Sequence, residues 1–546
     1  MAEYIPETLL ELLVQSETRH KSENAFLLKD AGGALYTISY EQFKNEVEAL
    51  SSAILDLNKG KTIGIFMSNS YEWCCAFMAA VCIGGTAVPI DKTLSSRELY
   101  NIIEFAEIDI IITDEKGIKI LFENKALLQR QILVVLNTNT PYEDTKSYKE
   151  LIEKGKELLS SDRKIFDNIT ISPDDTAALF FTSGTTGMTK AVMLSHKNLC
   201  SDLVAVSDFI KIYEGDVAMS VLPLNHTYEL ISYLMVVYSG ASVSFCESLR
   251  TLKDDFNFYR PTVFVTVPLI LEKIDSKILA KMQQSGKRNV AKLISKVSPV
   301  IPKDSKRKIF SDVHAFFGGR VRMIICGAAS LKKETAVNFS SYGIPVIIGY
   351  GLTECSPIVI CNNDLEPTYD SVGKPLPGVE IKIDSPDENG IGEICVKGNM
   401  VMKGYFKAPG DTEKVMKNGF FHTGDSGYKD SDGNYHICGR LKNIIVTRNG
   451  KNIYPEEVEY YLSSHPYIAE CVVYSEGDIV AAEILPDIKE IKRGVNKDTL
   501  LKEEIHSAIK EAVRAINRTI PSYKRIKKLT VRDEAFDKTS THKIKR

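Results

Sequence analysis

Leu179-Phe-Phe-Thr-Ser-Gly-Thr-Thr-Gly-Met-Thr-Lys190 begins as an apolar strand and breaks into a loop of two glycines, five hydroxyl residues and one lysine. Ala191-Val-Met-Leu194 continues as a second strand, and only then does Ser195, a good N-cap, open a helix. Gly184 and Gly187 let backbone N–H groups bend around phosphate oxygens. The hydroxyls of Thr182, Ser183, Thr185 and Thr186 add donors, and Lys190 supplies a movable positive charge. A Walker A loop is excluded: the two glycines are too close, Lys190 does not follow a glycine, and no helix starts where that loop needs one. A polar hairpin turn between strands is the plainer alternative, and so biased a composition favours the phosphate loop over it.

Outward from this loop the chain alternates strand-like and helix-like stretches. Lys61-Thr-Ile-Gly-Ile-Phe-Met67, Thr86-Ala-Val-Pro-Ile90 and Ile108-Asp-Ile-Ile-Ile-Thr113 read as strands, with helices at Tyr71 to Ala80 and 97–105 between them. That alternation predicts a parallel α/β sheet. A second set is expected from Thr176, taking in Val263-Phe-Val-Thr-Val267, Val321-Arg-Met-Ile-Ile-Cys326 and Val346-Ile-Ile348. From Ser371 the pattern turns to short strands and turns, Val379 to Ile383 and Glu393 to Val396 around Pro386-Asp-Glu-Asn-Gly390, which predicts a small β-barrel. The fold class is therefore α/β: two parallel-type subdomains and a small barrel over residues 1–440, then a compact, mobile α/β domain over 441–546.

The 546 residues exceed a single core. A net charge of -3 offers no basic field for nucleic acid. No basic, apolar leader opens the chain, and the longest apolar run, Cys74 to Ile90, holds Gly84 and Gly85 and reads as a buried helix passing into a strand. No membrane-spanning segment is expected. Eleven scattered cysteines without zinc spacing point to free thiols in a reducing cytoplasm.

Further motifs follow in order. Leu222-Pro-Leu-Asn-His226-Thr-Tyr-Glu229 is followed by Cys326-Gly327-Ala328-Ala329, where a strand ends in small residues. Ile348-Gly349-Tyr350-Gly351-Leu-Thr353-Glu354 comes next, then His422-Thr-Gly424-Asp425, a carboxylate in a tight turn suited to paired ribose hydroxyls. Gly439-Arg440-Leu-Lys442-Asn443, Asn449-Gly450-Lys-Asn-Ile453 and the basic end Asp537-Lys-Thr-Ser-Thr-His542-Lys543-Ile-Lys-Arg546 complete the series. Taken singly, most of these would be turns or solvated ends.

In this order they resemble the adenylate-forming superfamily of acyl-CoA synthetases, peptide-synthetase adenylation domains and beetle luciferases, over nearly the whole chain. Thr189 and Ala191 stand where that family has proline and glycine, and His542 where it has glycine before the terminal lysine. The resemblance implies that the loop and Lys190 hold ATP phosphates, and that the backbone of Gly327, Ala328 and Ala329 lies along adenine. Tyr350, between Gly349 and Gly351, would pack on the adenine face, a flat ring on a flat base. Thr353 would touch the α-phosphate, and Glu354 would hold Mg²⁺, a hard carboxylate for a hard cation. It places Asp425 and Arg440 on the ribose, His226 near the reacting carboxylate, Lys442 at a hinge and Gly450 by the pantetheine tunnel. Lys543 would bridge carboxylate and phosphate, although by chemistry alone Lys538 and Lys545 compete with it.

The implied reaction is ATP-dependent activation of a carboxylic acid to acyl-AMP, then transfer to a thiol. No Asp lies between Leu222 and Tyr233 to hold an α-amino group, and Arg260 to Ile274 with Gly318-Gly-Arg-Val-Arg322 resembles the long-chain fatty acid branch. A fatty acid is thus the expected acid. No carrier domain follows Lys543, so the acceptor is CoA or a separate acyl carrier protein, with CoA favoured. A silent nucleotide-binding regulator on the same fold is the rival, against which the retention of Lys190, Glu354, Asp425, Arg440 and Lys543 speaks.

Overall fold

The computed structural model of the chain describes residues 5–123, 128, 131–136, 144–161, 169–183, 189–284, 301–362, 368–446, 452–477, 479–538 and 544. Two large mixed sheets dominate. Strand Thr176–Ser183 is buried along its apolar run, Ala177 to Phe180 being at most 2% exposed, and it pairs antiparallel with Thr189–Ser195 across the glycine-rich segment. The helix that follows, His196–Phe209, starts where expected: Ser195 Oγ accepts from the Asn198 N–H, and Asn198 returns the bond in a capping box.

The strand Thr176–Ser183 does not open a second sheet. It lies parallel to Thr86–Pro89, with Ala87 opposite Ala178, and so joins an eight-stranded sheet with Thr62–Phe66, Ile110–Thr113, Ile132–Val135, Thr145–Ser147 and, at the other edge, Gly404–Tyr405. The other sheet has nine strands. Its six parallel members, Val346–Gly351, Met323–Cys326, Val263–Thr266, Val217–Ser220, Ser242–Phe245 and Asn24–Lys29, are flanked by antiparallel Ile358–Cys361, Lys374–Pro375 and Leu35–Ser39. The boundary expected at Thr176 therefore moves to Val217, and the N-terminal hairpin crosses to the far sheet. The physical reason is plain: a strand buried on both faces carries the same apolar run whichever sheet it enters, so its periodicity does not name its partner.

From Ser371 onward the antiparallel unit is present as five strands, Glu380–Asp384, Gly392–Lys397, Phe420–Lys429 and the two that share its free edge, Met416–Lys417 and Tyr435–Arg440. One apolar core runs from Leu9 to Tyr435, with a smaller one on the outer face of the eight-stranded sheet. A third, from Ile445 to Ile526, belongs to the C-terminal segment, where strands Ile468–Glu476, Ile479–Pro486 and Ile526–Val531 pack against helix Lys502–Thr519. Between the cores lies one 3₁₀ turn, Leu441–Asn443. Among the described residues no helix is long and apolar enough to cross a membrane.

Candidate active site

The motif residues, far apart in sequence, gather where the strands Met323–Cys326 and Val346–Gly351 end. In open α/β sheets ligands bind at such strand ends. Tyr350 is the last aromatic of its strand, and its hydroxyl donates to Asp425 Oδ2 at 2.7 Å. Arg440 Nε lies 2.8 Å from Asp425 Oδ1 and its Nη1 donates to the Thr423 carbonyl at 3.0 Å, so one carboxylate is held from both sides. Burial, then the neighbouring Asp425, pushes the Tyr350 phenol up; it stays a protonated donor. Ribose hydroxyls arriving at Asp425 would join or replace these two contacts.

A second group forms around Glu354, in the 3₁₀ turn Thr353–Cys355. Tyr405 donates its hydroxyl to Glu354 Oε1 at 2.9 Å, and Lys190 Nζ stands 4.5 Å over the Tyr405 ring and 3.3 Å from Asp411. Lys414, then Lys190, holds the Asp411 carboxyl below its ordinary range. Burial, then Glu354, raises the Tyr405 phenol, keeping it a donor as well. Glu354 is thus an oriented, half-buried oxygen donor beside a lysine, a fit for a hard cation shared with phosphates.

The third group joins the histidine motif to the turn. Thr227 Oγ1 lies 3.4 Å from Thr353 Oγ1, and His226 is the half-buried N-cap position of helix Thr227–Tyr238. Glu229, one turn on, is fully buried, and burial raises its pKa to about 8. A Cβ on Gly327 would lie 3.1 Å from Tyr228 Cζ, so its smallness serves the protein's own Tyr228 ring. Ala329 is exposed and Ala328 half-buried at φ 71°, while a Cβ on Gly351 would fall 1.7 Å from the Pro357 carbonyl oxygen.

The contacts thus join Tyr350, Asp425 and Arg440 in one group, Lys190 and Glu354 through Tyr405 in a second, and Thr353 with Thr227, next to His226, in a third. Thr182 Oγ1 reaches the Lys190 carbonyl across the hairpin, at 3.5 Å. Gly184, Thr185, Thr186, Gly187, Gly450 and Lys543, and the side chain of Ser183, lie outside the described residues. Lys538 is ion-paired with Glu470 of the C-terminal sheet. Sequence reasoning missed Tyr405, Asp411 and Glu393; Tyr405 reaches the site because the short strand Gly404–Tyr405 pairs with the loop strand, Tyr405 opposite Val192.

Two α/β sheets with an antiparallel annex, and a cluster of lysine, carboxylates, arginine and tyrosine where they meet, define an enzyme scaffold of the adenylate-forming architecture. The AMP-binding enzyme family model matches residues 15–406, and the AMP-binding enzyme C-terminal domain model matches 442–546. The chain belongs to the AMP-binding enzyme family. It is 30% identical over 559 residues to long-chain-fatty-acid–CoA ligase 1 of Cavia porcellus, covering 91% of this chain and 78% of that one. To long-chain-fatty-acid–CoA ligase 5 of Mus musculus it is 30% identical over 550 residues, covering 91% and 80%. Its fold matches the anthranilate CoA ligase AuaEII in complex with anthranoyl-AMP, with a TM-score of 0.77, 20% identity and coverage of 100% and 96%. ATP-bound MatB from Rhodopseudomonas palustris matches with a TM-score of 0.75, 24% identity and coverage of 98% and 97%.

Proposed function

We propose that this enzyme activates a medium- or long-chain fatty acid with ATP and transfers the acyl group to CoA. The observation that carries the reading is the convergence of Lys190, Glu354, Tyr350, Asp425 and Arg440, from five separate elements, in a chain related along most of its length to long-chain fatty acid–CoA ligases. The acid's carboxylate attacks the α-phosphorus of ATP; the bond to pyrophosphate breaks and a mixed anhydride forms. The thiol of CoA then attacks the acyl carbon, giving thioester and AMP and releasing the thiol proton.

For the first step the protein orients groups and neutralises charge. Lys190 and the loop from Thr182 hold the outgoing phosphates, Thr353 meets the α-phosphate, and Asp425 with Arg440 fixes the ribose. Tyr350 and the backbone of Gly327 to Ala329 flank the base, and His226 stands by the acid. Magnesium at Glu354 would draw off phosphate charge. We assign residues 1–440 to an ATP- and acyl-binding domain and 441–546 to a moving one that turns at Lys442, bringing Lys543 in for adenylation and the Gly450 loop in for thioester formation. The eleven free cysteines suit a reducing compartment, and we assign the enzyme to the cytoplasm.

The test is ATP–pyrophosphate exchange over acids of graded length. Each buried methylene adds about 0.8 kcal/mol, so specificity should climb with length until the pocket is full. Faster exchange with amino or aryl acids than with any fatty acid would refute the assignment. Comparing CoA with acyl carrier protein as acceptor decides the second step.

A further inference from the structure

We infer that Glu393 is a positioning residue for the nucleotide: its carboxylate builds the backbone bulge that aims Asp425 at Tyr350 and Arg440. The inference rests on the reading of Asp425 as the ribose ligand.

The bulge is visible in the strand register. Strand Gly392–Lys397 runs antiparallel to Phe420–Lys429, with Cys395 opposite His422 but Glu393 opposite Ser426. Across that interval one strand advances by two residues and the other by four. Thr423, Gly424 and Asp425 thus fall outside the ladder with Gly392–Lys397, while Asp425 stays paired with Arg440 on the strand at its other side, and Gly424 takes φ 71°, a value glycine adopts without strain. Expelled backbone N–H groups need new partners, because an unmade buried hydrogen bond is costly.

Side chains supply them. Glu393 Oε1 accepts the Gly424 N–H at 2.9 Å, and Thr423 Oγ1 accepts the Asp425 N–H at 3.0 Å while donating to the Ile394 carbonyl at 2.7 Å. The other oxygen, Glu393 Oε2, lies 2.7 Å from His422 Nδ1, which donates to it, since a carboxylate only accepts. One carboxylate therefore grips the chain on both sides of Thr423. Cys395 Sγ is 3.5 Å from the same imidazole nitrogen, and the three ligand-type atoms lie within 4.8 Å of one another. Both Glu393 oxygens are already engaged with protein donors, so the trio acts as a brace for the bulge. What the brace holds in place is Asp425, whose carboxylate meets Tyr350 and Arg440 immediately beyond it.

The test is a double-mutant cycle read by equilibrium binding of ATP to the full-length enzyme, with ATP–pyrophosphate exchange and the melting midpoint in parallel. Glu393→Ala should weaken ATP binding roughly ten-fold, raising KM for ATP more than it lowers kcat. Asp425→Ala should weaken it at least as much. The double variant should bind no worse than Asp425→Ala within two-fold, because a brace has nothing left to position once Asp425 is gone. Glu393→Gln, whose amide oxygen can still accept from Gly424, should recover most of the affinity. Glu393→Asp, too short to reach both partners, repeats the cycle if the alanine variant melts below the assay temperature. ATP affinity unchanged in Glu393→Ala, or losses that multiply in the double variant, overturns the inference. Unchanged affinity in Asp425→Ala instead overturns the ribose reading beneath it.

Discussion

Tyr405 donates its hydroxyl to Glu354 across 2.9 Å, and the face of the same ring carries Lys190. One aromatic side chain thus orients the carboxylate assigned to metal and seats the lysine assigned to phosphate.

Removing the Tyr405 hydroxyl should therefore act on Glu354 and spare Lys190. Tyr405→Phe keeps the ring and should raise the Mg²⁺ needed for half-maximal exchange by about three- to ten-fold, the net worth of an ordinary hydrogen bond. Glu354→Gln should slow exchange by on the order of 10²–10³. The measurement is exchange rate against Mg²⁺ concentration. Wild-type behaviour of Glu354→Gln at low Mg²⁺ would take that residue out of the metal site.

Asp411 is the counter-ion Lys190 must leave to reach a phosphate. Asp411→Asn should lower KM for ATP by about two- to five-fold, a range typical of exposed pairs. Added salt should shrink the difference between variant and wild type. A raised KM would mean that Asp411 assists ATP instead of competing with it.

Lys543 and Lys442 should give opposite phenotypes. Lys538 is tied to Glu470, while Lys543 and its rival Lys545 lie outside the described residues. Lys543→Ala should lose most adenylation while still making thioester from supplied acyl-AMP and CoA. Lys442 is exposed in the short turn between the cores, and Lys442→Pro, by fixing φ there, should spare adenylation and block the second step. Equal loss in both steps for Lys543→Ala, or a collapse confined to Lys545→Ala, would reassign the lysine.

Much of this was legible in the residues and some was not. The hairpin around the glycine loop and the cap at Ser195 follow from local chemistry, whereas Tyr350, Asp425 and Arg440 were put at one nucleotide by the family resemblance. Sheet membership did not, because Thr176–Ser183 is apolar on both faces and could have joined either sheet. Tyr405 and Glu393 carry no local signature either: each acts across an interval, 51 residues to Glu354 and 31 to Gly424, that only strand register closes.

Glu229 gives the chain a pH dependence of known sign. Its pKa rises from the ordinary carboxyl range to about 8 by burial, so the folded protein keeps a proton that the unfolded chain has lost. Its contribution is full below about pH 4.5 and falls as pH rises toward 8. Glu229→Gln removes that fall, so its denaturation midpoint should gain on the wild type between pH 5 and pH 9. A constant difference across that range would show that Glu229 is not protonated in the fold. The midpoints of both proteins, measured in urea at several pH values, decide it.

The N-terminal hairpin meets its sheet partner late. Phe26 pairs with Val243, and the strand Asn24–Lys29 has no other neighbour in that sheet than its own hairpin mate. At about 5–20 residues per second, a ribosome needs roughly 10–40 s to make the intervening chain. Throughout that interval Asn24–Lys29 lacks the strand it pairs with in parallel, although seven of the eight strands of the other sheet, from Thr62–Phe66 to Thr189–Ser195, have already been made. The nascent enzyme therefore presents an open β edge for tens of seconds, and a chaperone that shields such edges would find its substrate there, in the first forty residues.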